Sequence, residues 1–129
     1  MIWLTKQDLI TLHSDVTGAT GGLDGVRDDG LLQSALTSPL QTYGGVDLFP
    51  SVIDKAVRLA CGLSQNHPFF DGNKRASAHT MLVVLQLNGI AISYTQQELA
   101  SVFWDIAAGK IGFDQLKQWV CAHLAPIVE

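Results

Sequence analysis

Basic residues are scarce in this chain. Eight lysines and arginines stand against twelve aspartates and glutamates, giving a net charge of −4 and an isoelectric point near 5.4. That balance argues against direct nucleic-acid binding, which needs a basic surface to neutralise phosphates. It leaves room for a nucleotide ligand, for which a few local cations suffice. Cysteine is rarer still: Cys61 and Cys121 lie far apart with no CxxC spacing. Neither a zinc site nor a disulfide framework is expected, and two free thiols fit a reducing cytoplasm. Long apolar runs are missing too. The longest, Met81–Leu85, is far shorter than a membrane span. The segment Met1–Lys6 lacks the basic and apolar regions of a secretory signal. A cytoplasmic protein with no membrane association is the expectation. Repeats, low-complexity tracts and linkers are also absent, so 1–129 reads as a single domain. An apolar content of 47% and a mean hydropathy of +0.22 are enough for one buried core.

What is present is mostly helix signal. Thr5 and Asp8 form a T-x-x-D start, followed by Leu9, Ile10, Leu12 and Val16 at helical spacing, with Gly18, Gly21 and Gly22 as stops. Asp28 or Asp29 caps a second helix over Gly30–Thr37, which Pro39 ends. The Gly44-Gly45 pair within 39–50 predicts a loop or short β-hairpin. Ser51 caps a third helix with a broad apolar face that Pro68 ends at His67. A fourth helix runs from about Asn73 to Asn88. Its second half is apolar nearly all round, which predicts the central buried helix. A fifth follows Thr95 and reaches about Ala108, and a sixth spans Phe113–Leu124. The expectation is an all-α bundle of about six helices around a central helix, with a short β-hairpin.

The segment between the third and fourth helices, His67-Pro68-Phe69-Phe70-Asp71-Gly72-Asn73-Lys74-Arg75, concentrates polar chemistry beyond what a connector needs. Gly72, Asn73, Lys74 and Arg75 sit at a helix N-terminus, where unpaired N–H groups and the helix dipole favour an anion. Arg75 can grip phosphate oxygens bidentately. Asp71 is a hard oxygen ligand suited to a Mg²⁺ that bridges phosphates. His67 carries an imidazole, the side chain that most often takes a proton from an attacking hydroxyl. Base, metal ligand and phosphate cradle together describe phosphoryl transfer. Phe69 is expected to point into the core and pin the loop. His79, one turn beyond Arg75 on the same face, is a candidate nucleotide contact. Plainer roles stay open. Asp71 or Asn73 could simply cap the fourth helix, Lys74 and Arg75 could be a solvated first turn, and His79 a core or surface residue. Cations at a helix N-terminus are unfavourable, however, which favours an anionic partner.

The loop resembles the signature of the Fic/Doc family, HPFx(D/E)GN(G/K)R, and reads HPFFDGNKR here. GGLDGVRDDGLLQSAL at 21–36 and QTYGGVDLFPS at 41–51 are similar to the death-on-curing (Doc) branch. The resemblance implies the Fic-fold helical bundle, His67 as general base, Asp71 on Mg²⁺ and Gly72–Arg75 on phosphates. It also implies a flap around Gln41–Phe49, with Tyr43, Gly44 and Gly45, that aligns the target. Nucleotidyl-transferring members have a glycine where this chain has Lys74, and a second arginine where it has Ala78. The Doc branch shares the lysine, which implies ATP bound with its γ-phosphate presented to a protein hydroxyl. HPF and Gly72 stand closer to the Fic branch. No self-inhibitory (S/T)xxxE(G/N) hexapeptide is found, so restraint by a separate Phd-like antitoxin in trans is implied. The expected function is a Doc-like toxin, a Mg-ATP protein kinase acting on a translation factor such as EF-Tu. The alternatives are an AMP or other nucleotidyl transferase on the same scaffold, and a catalytically silent binding module. Intact His67, Asp71 and Arg75 weigh against silence.

Overall fold

The computed structural model describes residues 1–126, so the last three residues of the expected domain lie outside the described ones. Six α-helices follow one another: α1 Lys6–Thr20, α2 Asp29–Thr37, α3 Val52–Asn66, α4 Asn73–Leu87, α5 Gln96–Ala107 and α6 Phe113–Ala122. Between α2 and α3 lies an antiparallel pair, β1 Thr42–Tyr43 and β2 Val46–Asp47, in the register Thr42–Asp47 and Tyr43–Val46. The all-α bundle with one small hairpin is therefore as expected.

Local chemistry explains the helix starts. Thr5, Ser51 and Thr95 each accept an N–H of the first turn, and Asp8, Asp54 and Glu98 reach back to the cap N–H. Each such cap stabilises its helix by about 1 kcal/mol. Asp28 caps α2 through the Leu31 N–H. Two boundaries differ from the expectation. Gly18 does not stop α1, which continues to Thr20 and closes at Gly21 with φ 78°. One interior glycine costs only about 1 kcal/mol, and Thr17 beside it is buried in the bundle. Helix α2 ends at Thr37 as expected, and Ser38–Leu40 follow it as one 3-10 turn. Pro39 sits at the start of that turn, where its missing N–H costs nothing. Finally, α6 stops at Ala122, and Leu124 instead bridges to Ile92.

The centre of the bundle is α3, not α4 as the apolar run Met81–Leu87 suggests. Ten residues of α3 are buried, Val57, Leu59, Ala60 and Leu63 among them, and it packs against α2, α4, α5 and α6. In α4, Leu82 and Val83 are only half-buried and Leu87 is 44% exposed. Helix α3 also buries three polar side chains, Asp54, Lys55 and Ser64. Two of these have partners. Asp54 is bonded by Lys117 of α6 at 2.7 Å. Lys55 donates to the Asp47 carboxylate at 3.2 Å and to the Phe49 carbonyl, and so ties the hairpin to α3. The hairpin needs that tie because none of its strand residues is buried. Gly44 and Gly45, at φ 58° and 80°, supply the left-handed turn that suits a tight two-residue hairpin.

Candidate active site

The loop from His67 to Gly72 begins with strain. Pro68 prevents α3 from continuing, and His67 caps it at φ 51°, the one non-glycine residue with positive φ among the described residues. A left-handed conformation at such a residue costs roughly 1–2 kcal/mol. The segment between α1 and α2 offsets that cost. Arg27 donates from Nε to the His67 carbonyl at 2.8 Å and from Nη2 to the Asn66 carbonyl at 3.1 Å. The N–H groups of Arg27 and Asp28 both reach the Pro68 carbonyl, Phe70 N–H reaches the Gly25 carbonyl, and Val26 bridges Phe69. The exposed His67 ring approaches the Gln65 carbonyl with Nδ1 at 3.2 Å. A carbonyl can only accept, so Nδ1 carries a proton, and in the neutral imidazole Nε2 is then the basic nitrogen. That is the tautomer a general base requires.

Phe69 is buried as expected, 1% exposed, and its backbone is clamped by Asn73. The carboxamide oxygen accepts the Phe69 N–H and the amide donates to the Phe69 carbonyl, both at 3.0 Å. The side chain of Asn73 is thus committed to shaping the loop, and its backbone N–H is what remains for an anion. Asp71 accepts the Leu23 N–H on Oδ2 at 2.9 Å, and no hydrogen bond falls on its other oxygen among the described residues. Gly72 adopts φ 76° and turns its bare Cα toward α1. A Cβ there would meet Thr17 Cγ2 at 3.4 Å and His13 Nε2 at 3.6 Å. Those are ordinary contacts, so it is the left-handed φ and not a lack of room that favours glycine here. No side chain caps α4, and the first bonded N–H is that of Ala76, to the Gly72 carbonyl. The N–H groups of Asn73, Lys74 and Arg75 are left for an anion.

Lys74, Arg75, Ala78 and His79 line a groove of about 560 Å³ between α1, α4 and α5. Its floor is apolar, with Val16, Leu82, Leu99 and Phe103. Lys74 leans across it, its ammonium 4.0 Å from the centre of the exposed Trp104 ring. His67 and Asp71 do not line this groove, and belong to the loop that precedes its Lys74–Arg75 end. Tyr43 is 82% exposed on the hairpin.

Four groups at the site carry no local signal in the sequence: His13, the Leu23 N–H, Asp24 and Arg27. The buried face of α1 is Leu9, His13 and Thr17, a row of i, i+4 and i+8 that a count of apolar residues passes over. His13 lies flat on Phe69, ring centres 3.8 Å apart, and its Nε2 bonds the Asp71 carbonyl. A histidine in register with a buried leucine was the available clue.

The donor set fits a magnesium nucleotide. Mg²⁺ is usually held by one or two carboxylates together with substrate phosphates, and Asp71 presents one free carboxylate oxygen beside an uncapped helix N-terminus. No group of three His, Cys, Asp or Glu side chains among the described residues could hold a metal without such a ligand. No helix among the described residues is long and apolar enough to cross a membrane.

These features define a class: a small helical bundle that presents an imidazole, a carboxylate and an open helix N-terminus in one loop. The chain belongs to the Fic/DOC family, whose model matches residues 3–85, from before α1 to near the end of α4 and including the entire loop. It is 38% identical over 91 residues to a Mycolicibacterium smegmatis protein named Toxin Doc, an alignment that spans 70% of this chain and 68% of that one. It is 26% identical over 108 residues, 84% of each chain, to a protein of Escherichia phage P1 named Protein kinase doc.

Proposed function

We propose that the chain is a Doc-like toxin that transfers the γ-phosphate of ATP to a hydroxyl of a protein target. The observation that carries the reading is the loop itself. A left-handed His67 with a free Nε2, the Asp71 carboxylate and the open N-terminus of α4 lie within nine residues of chain. The names of the two relatives, a toxin and a protein kinase, support it. In this reading His67 takes the proton of the attacking hydroxyl. The N–H groups of residues 73–75, with Lys74 and Arg75, hold the phosphates. The Mg²⁺ on Asp71 would offset charge on the transferring group. Lys74 must leave Trp104 to join them, and an exposed cation–π contact of about 0.5–1 kcal/mol is small enough to give up. His79 lines the groove beyond, and in this reading it meets the nucleotide or the target. Tyr43, Gly44 and Gly45 of the hairpin align the target segment. The target is a translation factor, EF-Tu being the first to try, and the site of action is the cytoplasm. A Phd-like antitoxin restrains the toxin in trans.

The test separates phosphoryl from nucleotidyl transfer. With Mg²⁺ and a lysate or purified EF-Tu as acceptor, label should pass from γ-labelled ATP and not from α-labelled ATP. Lys74→Gly should lower phosphoryl transfer, since the long cation then no longer biases which phosphorus lies in line. A displacement of about 1 Å can cost roughly 10²-fold in rate. Transfer of the α-label by the wild type would replace the kinase reading with the nucleotidyl-transferase one.

A further inference from the structure

We infer that His13 is a positioning residue: its imidazole holds the peptide between Asp71 and Gly72, and so sets both the metal-binding carboxylate and the start of the anion cradle. The inference rests on the phosphoryl-transfer reading of the loop. His13 is 1% exposed and stacks on Phe69 with the ring planes 6° apart. Its Nε2–H donates to the Asp71 carbonyl, and its Nδ1 lies 3.5 Å from Asp24 Oδ1. Asp24 is itself fixed by the Ser14 hydroxyl, at 2.9 and 3.0 Å, and by the Gly25 N–H. A carboxylate thus faces one edge of the ring while the other edge grips the loop.

A buried imidazole costs free energy that a leucine in the same row would not, so satisfying the core alone does not account for it. The acceptor does. The Asp71 carbonyl belongs to a planar peptide whose other end is the Gly72 N–H. Fixing that oxygen fixes the peptide plane from which Gly72, at φ 76°, launches α4. The Asp71 carboxylate is held from the opposite side by Leu23 N–H. Gly72 is itself a neighbour of the ring: a Cβ on it would be in ordinary contact with His13 Nε2, at 3.6 Å. Phe69, beneath the ring, is clamped by Asn73. His13 therefore sits behind the carboxylate and the cradle and touches neither nucleotide nor target.

The test compares His13→Phe, which keeps an aromatic stack but has no donor, with His13→Gln, whose amide nitrogen reaches roughly where Nε2 lies. Binding of ATP with Mg²⁺ is measured by calorimetry, order of residues 69–76 by amide hydrogen exchange, toxicity by growth arrest on induction, and stability by thermal melting. His13→Phe should weaken Mg-ATP binding about tenfold, the scale expected for losing one buried hydrogen bond, speed exchange in 69–76 and abolish growth arrest. His13→Gln should restore all three. Adenosine binding should be the same in every variant. The assignment is overturned if His13→Phe binds Mg-ATP as the wild type does, or if both variants lose binding only in step with melting temperature. Should His13→Phe not fold, Asp24→Ala, at an exposed position, must weaken Mg-ATP binding by a smaller factor, and unchanged binding overturns the assignment. A wild type that neither binds Mg-ATP nor transfers label sinks the phosphoryl-transfer reading itself. Failure of the His13 assignment alone leaves an active wild type, with variants that either equal it or lose binding only through lost stability.

Discussion

Lys55→Met isolates the hairpin from the rest of the proposed machinery. Methionine fills the space of the lysine stem but supplies no donor. The Phe49 carbonyl then loses its charged partner, which costs about 1–3 kcal/mol. The Asp47 carboxylate is half exposed and rehydrates, so its lost ion pair adds less than about 1 kcal/mol. Removing a buried ammonium returns part of the total as relieved desolvation. A net loss of roughly 1.5 kcal/mol follows, near 3–6 °C of melting temperature for a domain of this size. The loss should fall on the hairpin, because none of its strand residues is buried and nothing else anchors it as strongly. If the hairpin aligns the target, the docked form is depleted by up to about tenfold, since 1.4 kcal/mol is a factor of ten. Initial rates across target concentration, at saturating ATP, should then show KM for the target raised by that factor. The calorimetric Kd for Mg-ATP should be unchanged, because Lys55 lies in the first turn of α3 and the loop follows its last. A lowered melting temperature with unchanged target KM refutes the alignment role. A shift in ATP affinity shows instead that the lesion has spread along α3.

Three further outcomes are expected. His67→Ala and His67→Gly should both lose about 10²–10⁴-fold in transfer rate, yet the glycine variant should be the more stable by about 1 kcal/mol, since position 67 is left-handed; label-transfer assays and melting curves check this, and equal stability would contradict the strain. Arg75→Ala should raise the Kd for Mg-ATP far more than that for adenosine, because the lost contacts are to phosphate; equal changes in two titrations would remove Arg75 from the cradle. The Glu98–His123 pair at 3.0 Å raises the His123 imidazole above its ordinary 6.5 and lowers the Glu98 carboxyl below 4.5, chiefly through their mutual hydrogen bond. The stability it adds is full between those ordinary values, falls as pH rises through the raised histidine value, and falls again as pH drops through the lowered carboxyl value. Urea unfolding at about pH 5.5 and 8.5 should show the wild type losing more stability over that rise than His123→Ala, and parallel profiles would contradict the linkage.

Whatever depends on neighbours within a few residues was legible in the chain before any coordinates. The capping boxes at Thr5, Ser51 and Thr95, the turn at Gly44-Gly45, the stop at Pro68 and the buried Phe69 are all of this kind. So was the density of polar groups from His67 to Arg75. Commitments that cross the chain were not. Arg27 reaches 40 residues on to the His67 carbonyl, Leu23 reaches 48 on to Asp71, and His13 reaches 58 on. Lys74 turns to Trp104, on another helix. No periodicity encodes such pairings, because each depends on how α1 and the segment after it lie against the loop.

Those long-range contacts share a logic that bears on why the segment 21–28 is rich in glycine. A loop that presents unbonded N–H groups and a left-handed histidine is intrinsically unfavourable, by roughly 1–2 kcal/mol for the histidine alone. Helix α3 ends where the loop begins, and α4 reaches back only through the Asn73 side chain to Phe69. Further restraint comes from a third piece of chain that runs close enough to bond backbone to backbone. Gly22 and Gly25 allow this through their backbone, both with φ above 110°, where other residues are strained; a Cβ at either would make only ordinary contact with Asp71 or the Phe70 ring. Along that path come the Leu23 bond to the carboxylate, the Gly25 bond to Phe70 and the Arg27 clamp on the end of α3. The segment between α1 and α2 thus joins Asn73 and His13 in holding the reactive loop in its strained form.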